Sequence, residues 1–388
     1  MSDLKIAVID VKPGASMESQ SGLQMLRPRI FGAYRAPADR RKVAAIVMHP
    51  TSNFMGHYLI EPLAERGICC MGLNSRYMGN DTLLLMERAI QDLGAGVKYL
   101  RDAGYEKVVL IGNSGGAALA SFYQAQAERL TATQFPDGDP THLHADDLPP
   151  VDGIALCAAH LGRSRLMRDW IDPSVTDEHD PMSVDPALDM YDPRHGGQGV
   201  QGVREVQGVQ EVRYDADFLA RFSAGQQARL DRIEQWAMDQ LRTLRTTPGA
   251  PRDQAFIVYR THADPRCLDL SIDANDRAPG SVWGDARQVN YSANAMGRTT
   301  SLTAFLSQWS SRSQADGPTN LARTSVPVLL LTYTADQSTF PSTRDAWMAA
   351  GGERIRNVDI VGGNHYLAGQ PALVPQAADA IAGWADGL

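Results

Sequence analysis

Long apolar runs are missing from this chain. Nothing approaches the roughly 20 consecutive apolar residues that a membrane-spanning helix needs. Basic clusters are missing too. Lys and Arg number 37 against 45 Asp and Glu, for a formal charge of −8, which argues against nucleic acid as a partner. Cysteine is scarce, with only Cys69, Cys70, Cys157 and Cys267 among 388 residues. Cys69 and Cys70 adjoin in an apolar run, and neighbours on a strand point to opposite faces, so they are poorly placed to share a metal. Buried free thiols are expected. The opening residues Met1-Ser2-Asp3-Leu4-Lys5 lack the basic-then-apolar pattern of a secretory leader. A cytoplasmic protein is the expectation from these absences. His142-Leu143-His144, with Asp146 and Asp147, offers metal-ligand residue types but no third ligand motif. No metal and no cofactor are expected, and neither is a membrane partner. A homo-oligomer is left open.

What is present is ample core material. Hydrophobic residues make up 43% and charged residues 21%, the balance of an ordinary globular chain. Short apolar runs alternate with helical patterns, which predicts an α/β fold with a mainly parallel central sheet and helices on both faces. The clear strands are Ala44–Met48, Ile68–Leu73, a run from about Lys107, and Val151–Ala158. A helix is expected from about Asp81, as N-cap, to Asp102, stopped by Gly104. The rhythm then breaks and resumes at Val326–Thr332, Ile355–Val361 and a closing helix from about Pro371. The expected organisation is therefore a core of residues 1–162 and 324–388, with 163–323 inserted. Inside the insert, valine recurs at every third residue over 199–212, which reads as an exposed loop or extended excursion.

The chemistry starts at Val108-Val109-Leu110-Ile111-Gly112-Asn113-Ser114-Gly115-Gly116. A buried strand delivers a serine onto a sharp turn, and a small-residue helix follows at once. This is the G-x-S-x-G nucleophile elbow in its strand–turn–helix setting. The backbone there is strained and crowded, so Cβ atoms at 112 and 116 are expected to collide. The Gly115 amide and the helix N-terminus then face the place where an oxyanion would form. A serine hydroxyl needs a base, and the base needs an orienting acid. Strand Val326–Thr332 runs into Tyr333-Thr334-Ala335-Asp336, and strand Ile355–Val361 into Gly362-Gly363-Asn364-His365-Tyr366. Asp336 and His365 thus follow Ser114 in chain order, each at a strand end.

On these motifs the chain resembles the α/β-hydrolase fold superfamily, serine esterase-like, over residues 30–162 and 324–388. The resemblance implies catalytic Ser114, Asp336 and His365. It also implies a second oxyanion amide from the loop Met48-His49-Pro50-Thr51-Ser52-Asn53. Pro50 has no N–H, so Thr51 is the first choice beside Gly115, and Ser52 the second. His49 is read as a loop-shaping residue. The insert would be a cap, in which aromatics wall a pocket or form the cap's own core. Substrate-contact candidates are His160, Arg163, Trp170, Trp283 and Trp309. The implied activity is hydrolysis of a carboxylic ester of a small, apolar or aromatic substrate. Thioester, lactone or amide hydrolysis and lyase, C–C hydrolase or perhydrolase chemistry use the same triad. A non-catalytic binding protein on this fold is the reading from another class.

Overall fold

β-Branched and other apolar residues concentrate in short runs, and the strands form there. In the computed structural model, residues 3–14, 28–37, 43–195, 205–206, 209–210, 212–293 and 295–388 are described. The strands are β1 (Lys5–Asp10), β2 (Arg29–Arg35), β3 (Val43–His49), β4 (Cys69–Asn74), β5 (Lys107–Asn113), β6 (Gly153–Cys157), β7 (Glu205–Val206), β8 (Val209–Gln210), β9 (Ala255–Ile257), β10 (Thr299–Ser301), β11 (Val328–Tyr333) and β12 (Ile355–Ile360). One sheet takes the order β1-β2-β4-β3-β5-β6-β11-β12. β2 pairs antiparallel with both neighbours. All other pairings in the sheet are parallel.

Alternation along the central strands fills both faces. Ala44, Ile46, Met48 and Leu110 pack on one side with Leu93 and Phe122 of the helices Met86–Asp102 and Gly116–Glu128. Ala45, Val47, Val109 and Ile111 pack on the other with Leu63 and Ile381, from the helices Ile60–Glu65 and Val374–Ala385. Strands buried on both faces read as continuous apolar runs, which is why they stand out in the sequence.

β1 and β2 do not stand out. Ile6 and Val8 of β1 are exposed while Ala7 and Ile9 are buried, so the strand lacks a full apolar run. The helix expected from Asp81 begins at Met86, with Leu85 at its N-cap. Asp81 is instead drawn into an ion pair with Arg163 at 3.1 Å. Gly104 does take a positive φ of 92° just past that helix. The four cysteines are buried and free.

The chain between β6 and β11 builds apolar clusters of its own. One gathers Met167, Leu230, Leu241, Phe305 and Trp309 along the helix Ala216–Thr246, whose N-cap Asp215 accepts a hydrogen bond from the Phe218 N–H at 2.6 Å. A second holds Met190, Tyr214, Phe218 and Phe222. Ala315 and Leu321 pack with the sheet's core, so core packing resumes before residue 324. Most of segment 199–212 lies outside the described residues; within it β7 and β8 pair antiparallel. Among the described residues no group of three or more His, Cys, Asp or Glu could hold a metal ion. No helix among them is long and apolar enough to cross a membrane.

Candidate active site

Ser114 follows β5 with φ at 58°, a left-handed conformation that costs a non-glycine residue about 1–3 kcal/mol. The neighbouring chain holds it there. The Ser114 N–H donates to the Cys157 carbonyl at 3.0 Å, and the Ser114 carbonyl accepts from the His160 and Ala117 N–H groups at 3.2 and 3.1 Å. The flanking glycines are needed. A Cβ on Gly112 would lie 2.5 Å from the Ala117 Cα and 2.8 Å from the Gly116 carbonyl oxygen, and one on Gly116 would lie 2.2 Å from the Met48 carbonyl oxygen.

His365 and Asp336 converge on this serine from the ends of β12 and β11. His365 Nε2 is 2.9 Å from Ser114 Oγ, and His365 Nδ1 is 2.8 Å from Asp336 Oδ2. All three side chains are buried. Asp336 also accepts from the Ser338 N–H at 2.7 Å and from the Thr339 hydroxyl at 2.7 Å. Burial by itself would raise this carboxyl, but the adjacent His365 and these donors bring it below the usual carboxylate range. An ionised Asp336 keeps the proton on Nδ1 and leaves Nε2 free to accept from the serine hydroxyl.

A cavity of about 530 Å³ opens over Ser114, Gly115 and His365. His160, Arg163 and Trp283 line it; Trp170 and Trp309 do not. Trp309 is 1% exposed, in the cluster with Phe305, and its ring lies under the Arg163 guanidinium at 4.7 Å. Trp170 packs against His160, His262 and Trp283, with its indole N–H given to Asp264 at 3.2 Å. Indole rings bury area equally well in a core or in a pocket wall, and tryptophan content does not tell the two apart. His160 Nε2 is 2.7 Å from the Ser338 hydroxyl. Burial, and then the neighbouring His365, push His160 down to about 3; it stands neutral beside His365. Arg163 is spent on structure. Its Nη1 donates to Asp81 at 3.1 Å and to Gln308 at 2.6 Å, and its Nη2 to the Thr51 hydroxyl at 2.8 Å.

The oxyanion side departs from the expectation. Gly115 lines the cavity, and among the described residues no hydrogen bond takes its N–H. Thr51 and Ser52 also line it, but their amides point elsewhere. Both donate to His49 Nδ1, at 3.1 and 2.9 Å. The chain bends at residues 50–52, and both amides converge on the His49 ring nitrogen. Neither amide is therefore available to an oxyanion. Sequence reasoning also passed over Tyr366, which lines the cavity. Burial raises its phenol, and an interaction with Ser114 lowers it. Its only signal was its place directly after His365.

No protein-family model matches this chain, and no curated protein matches it. Solved structures do. DcsB, solved in complex with its substrate analogue, superposes with a TM-score of 0.50 at 11% identity, covering 97% of this chain and 98% of the other. A thermostable carboxyl esterase from Bacillus coagulans gives 0.47 at 11% identity, over 100% and 99% of the two chains. The esterase domain of a Rhodothermus marinus protein gives 0.45 at 12% identity, over 98% of each. Identities this low speak to architecture alone. The mostly parallel sheet with β2 antiparallel to both its neighbours, the helices on both its faces and the strained serine turn after β5 make this the α/β-hydrolase fold.

Proposed function

We propose that this chain is a serine hydrolase that cleaves a carboxylic ester of a small substrate through an acyl-enzyme on Ser114. The observation that carries the reading is the continuous hydrogen-bonded path from Ser114 Oγ through His365 to Asp336. His365 Nε2 takes the hydroxyl proton as Ser114 Oγ bonds to the ester carbonyl carbon. The resulting oxyanion sits against the Gly115 N–H. Collapse breaks the bond to the leaving alkoxide, which receives the proton from His365. Water then repeats the sequence in reverse, with His365 again the base, and releases the acid.

Residues 163–323 act in this reading as a cap. Leu166, Val282, Trp283, Val289 and Met296 supply the apolar part of the wall over Ser114, which suits an apolar or aromatic acyl or alcohol group. The test is labelling with a fluorophosphonate probe, alongside turnover of p-nitrophenyl esters. Wild type should label and turn over, whereas Ser114→Ala should do neither. His365→Ala should lose turnover while keeping the wild-type melting curve. A wild-type protein whose Ser114 stays unlabelled, or a His365→Ala variant near full activity, refutes the reading.

A further inference from the structure

We propose that the second oxyanion donor is the imidazole Nε2–H of His49, a side chain where the fold ordinarily supplies a backbone amide. The inference rests on the ester-hydrolase reading and adds a residue to it.

The loop itself sets the tautomer. Two backbone N–H groups, of Thr51 and Ser52, converge on His49 Nδ1. A nitrogen that accepts from two donors carries no proton, so in a neutral ring the proton sits on Nε2. The ring is neutral because burial, reinforced by Arg163, His160 and His365, holds its pKa well below the ordinary histidine value. Nε2–H is thus a fixed donor. Among the described residues no protein acceptor takes it, although the side chain is 6% exposed. A histidine donor left open to a cavity, rather than to a protein acceptor, calls for a reason.

Its position supplies one. His49 lines the same cavity as Ser114 and Gly115. A Cβ on Gly115 would lie 2.8 Å from His49 Nε2. That Cβ would be about 2.5 Å from the residue's own nitrogen. Nε2 and the Gly115 nitrogen are then at most about 5.3 Å apart. One oxygen held at about 2.7–3.1 Å by two donors allows them to stand up to about 6 Å apart. The pair can therefore grip a single oxyanion. Glycine at 115 keeps the space between them open, and the two donations that take up the Thr51 and Ser52 amides also hold the ring.

The experiment separates loop shape from donation. In His49→Asn, the side-chain Oδ1 stands about where Nδ1 does and can still accept from Thr51 and Ser52, but nothing replaces Nε2–H. Expected is a kcat for p-nitrophenyl butyrate about 100- to 1000-fold below wild type, with KM within threefold and an unchanged melting temperature. A His49→Asn enzyme within threefold of wild-type kcat overturns the His49 role and leaves the triad standing. A wild-type protein that hydrolyses no ester and leaves Ser114 unlabelled overturns the hydrolase reading and the donor role together. If the variant does not fold, ¹⁵N-histidine NMR of wild type decides. Expected is an Nε2–H tautomer that does not titrate between pH 5 and 8, and whose N–H resonance moves when phenylboronic acid adds to Ser114. A proton on Nδ1, or titration in that range, overturns the proposal.

Discussion

Gly116→Ala tests how closely the elbow is pressed against the end of β3. The new Cβ would lie 2.2 Å from the Met48 carbonyl oxygen, so the two backbones must part by about 1 Å. Overpacking of this kind costs about 1–3 kcal/mol. The upper end applies here because the obstacle is backbone in a strand paired on both sides. At about 2.1 cal/mol/K of unfolding entropy per residue, a chain of this length has about 0.8 kcal/mol/K, so 3 kcal/mol lowers the melting temperature by about 4 °C. Activity should suffer more. His49 follows Met48 directly, and a 1 Å misplacement near the reacting atoms costs about 100-fold in turnover. Gly383→Ala is the matched control. Gly383 lies in the helix Val374–Ala385, and a Cβ there meets nothing within 4 Å. That change should stabilise by about 0.4–1 kcal/mol, raising the melting temperature by up to about 1 °C. Calorimetry and p-nitrophenyl ester turnover read both. A Gly116→Ala protein melting within 1 °C of wild type, with kcat within about threefold of it, would refute the tight approach.

Three further outcomes are expected. Asp336→Asn removes the charge that keeps the proton on His365 Nδ1, so steady-state kcat should fall by about 10⁴-fold at neutral pH. Glu87 is fully buried between Ser307 and Gln314, at 2.7 and 2.9 Å, and burial pushes its carboxyl up to about 7 against those donors. The folded state then binds this proton more tightly than the unfolded state, so stability falls as pH rises from about 4.5 through 7. Glu87→Gln should therefore raise the melting temperature more at pH 8 than at pH 5, and an equal gain at both would contradict the assignment. Asp92→Ala removes the carboxylate that lies 2.6 Å from the buried Arg76 guanidinium. A loss of about 3–5 kcal/mol is expected, seen as a melting temperature about 4–6 °C lower.

The sheet was legible because its central strands are apolar throughout, and because each ends abruptly in polar or glycine residues. Ser114, Asp336 and His365 all sit at such endings, and chain order alone suggested that they share one edge. The leading strands were hidden by the half-exposed pattern of Ile6, Ala7, Val8 and Ile9. The loop after β3 was hidden for a different reason. Pro50 showed which amide was missing, but where the Thr51 and Ser52 amides turn depends on a ring nitrogen acting as acceptor, and no spacing encodes that. Trp170, Trp283 and Trp309 are chemically alike, and only packing separates the one that faces the cavity from the two that do not. Asp81 was misread because a cap and an ion-pair partner need the same residue type.

The pairing of β6 with β11 also bears on how such a chain can exist at all. Ile154 through Cys157 align with Val328 through Leu331, across an excursion of about 170 residues. Loop-closure entropy grows only as the logarithm of length, so joining those strands through 170 residues rather than 10 costs about 2.5 kcal/mol more. Two or three ordinary hydrogen bonds offset that difference. The excursion carries apolar clusters of its own around Phe305 and Phe218. The length of that excursion is thus nearly free to the sheet, whose edge bearing Ser114, Asp336 and His365 keeps its register.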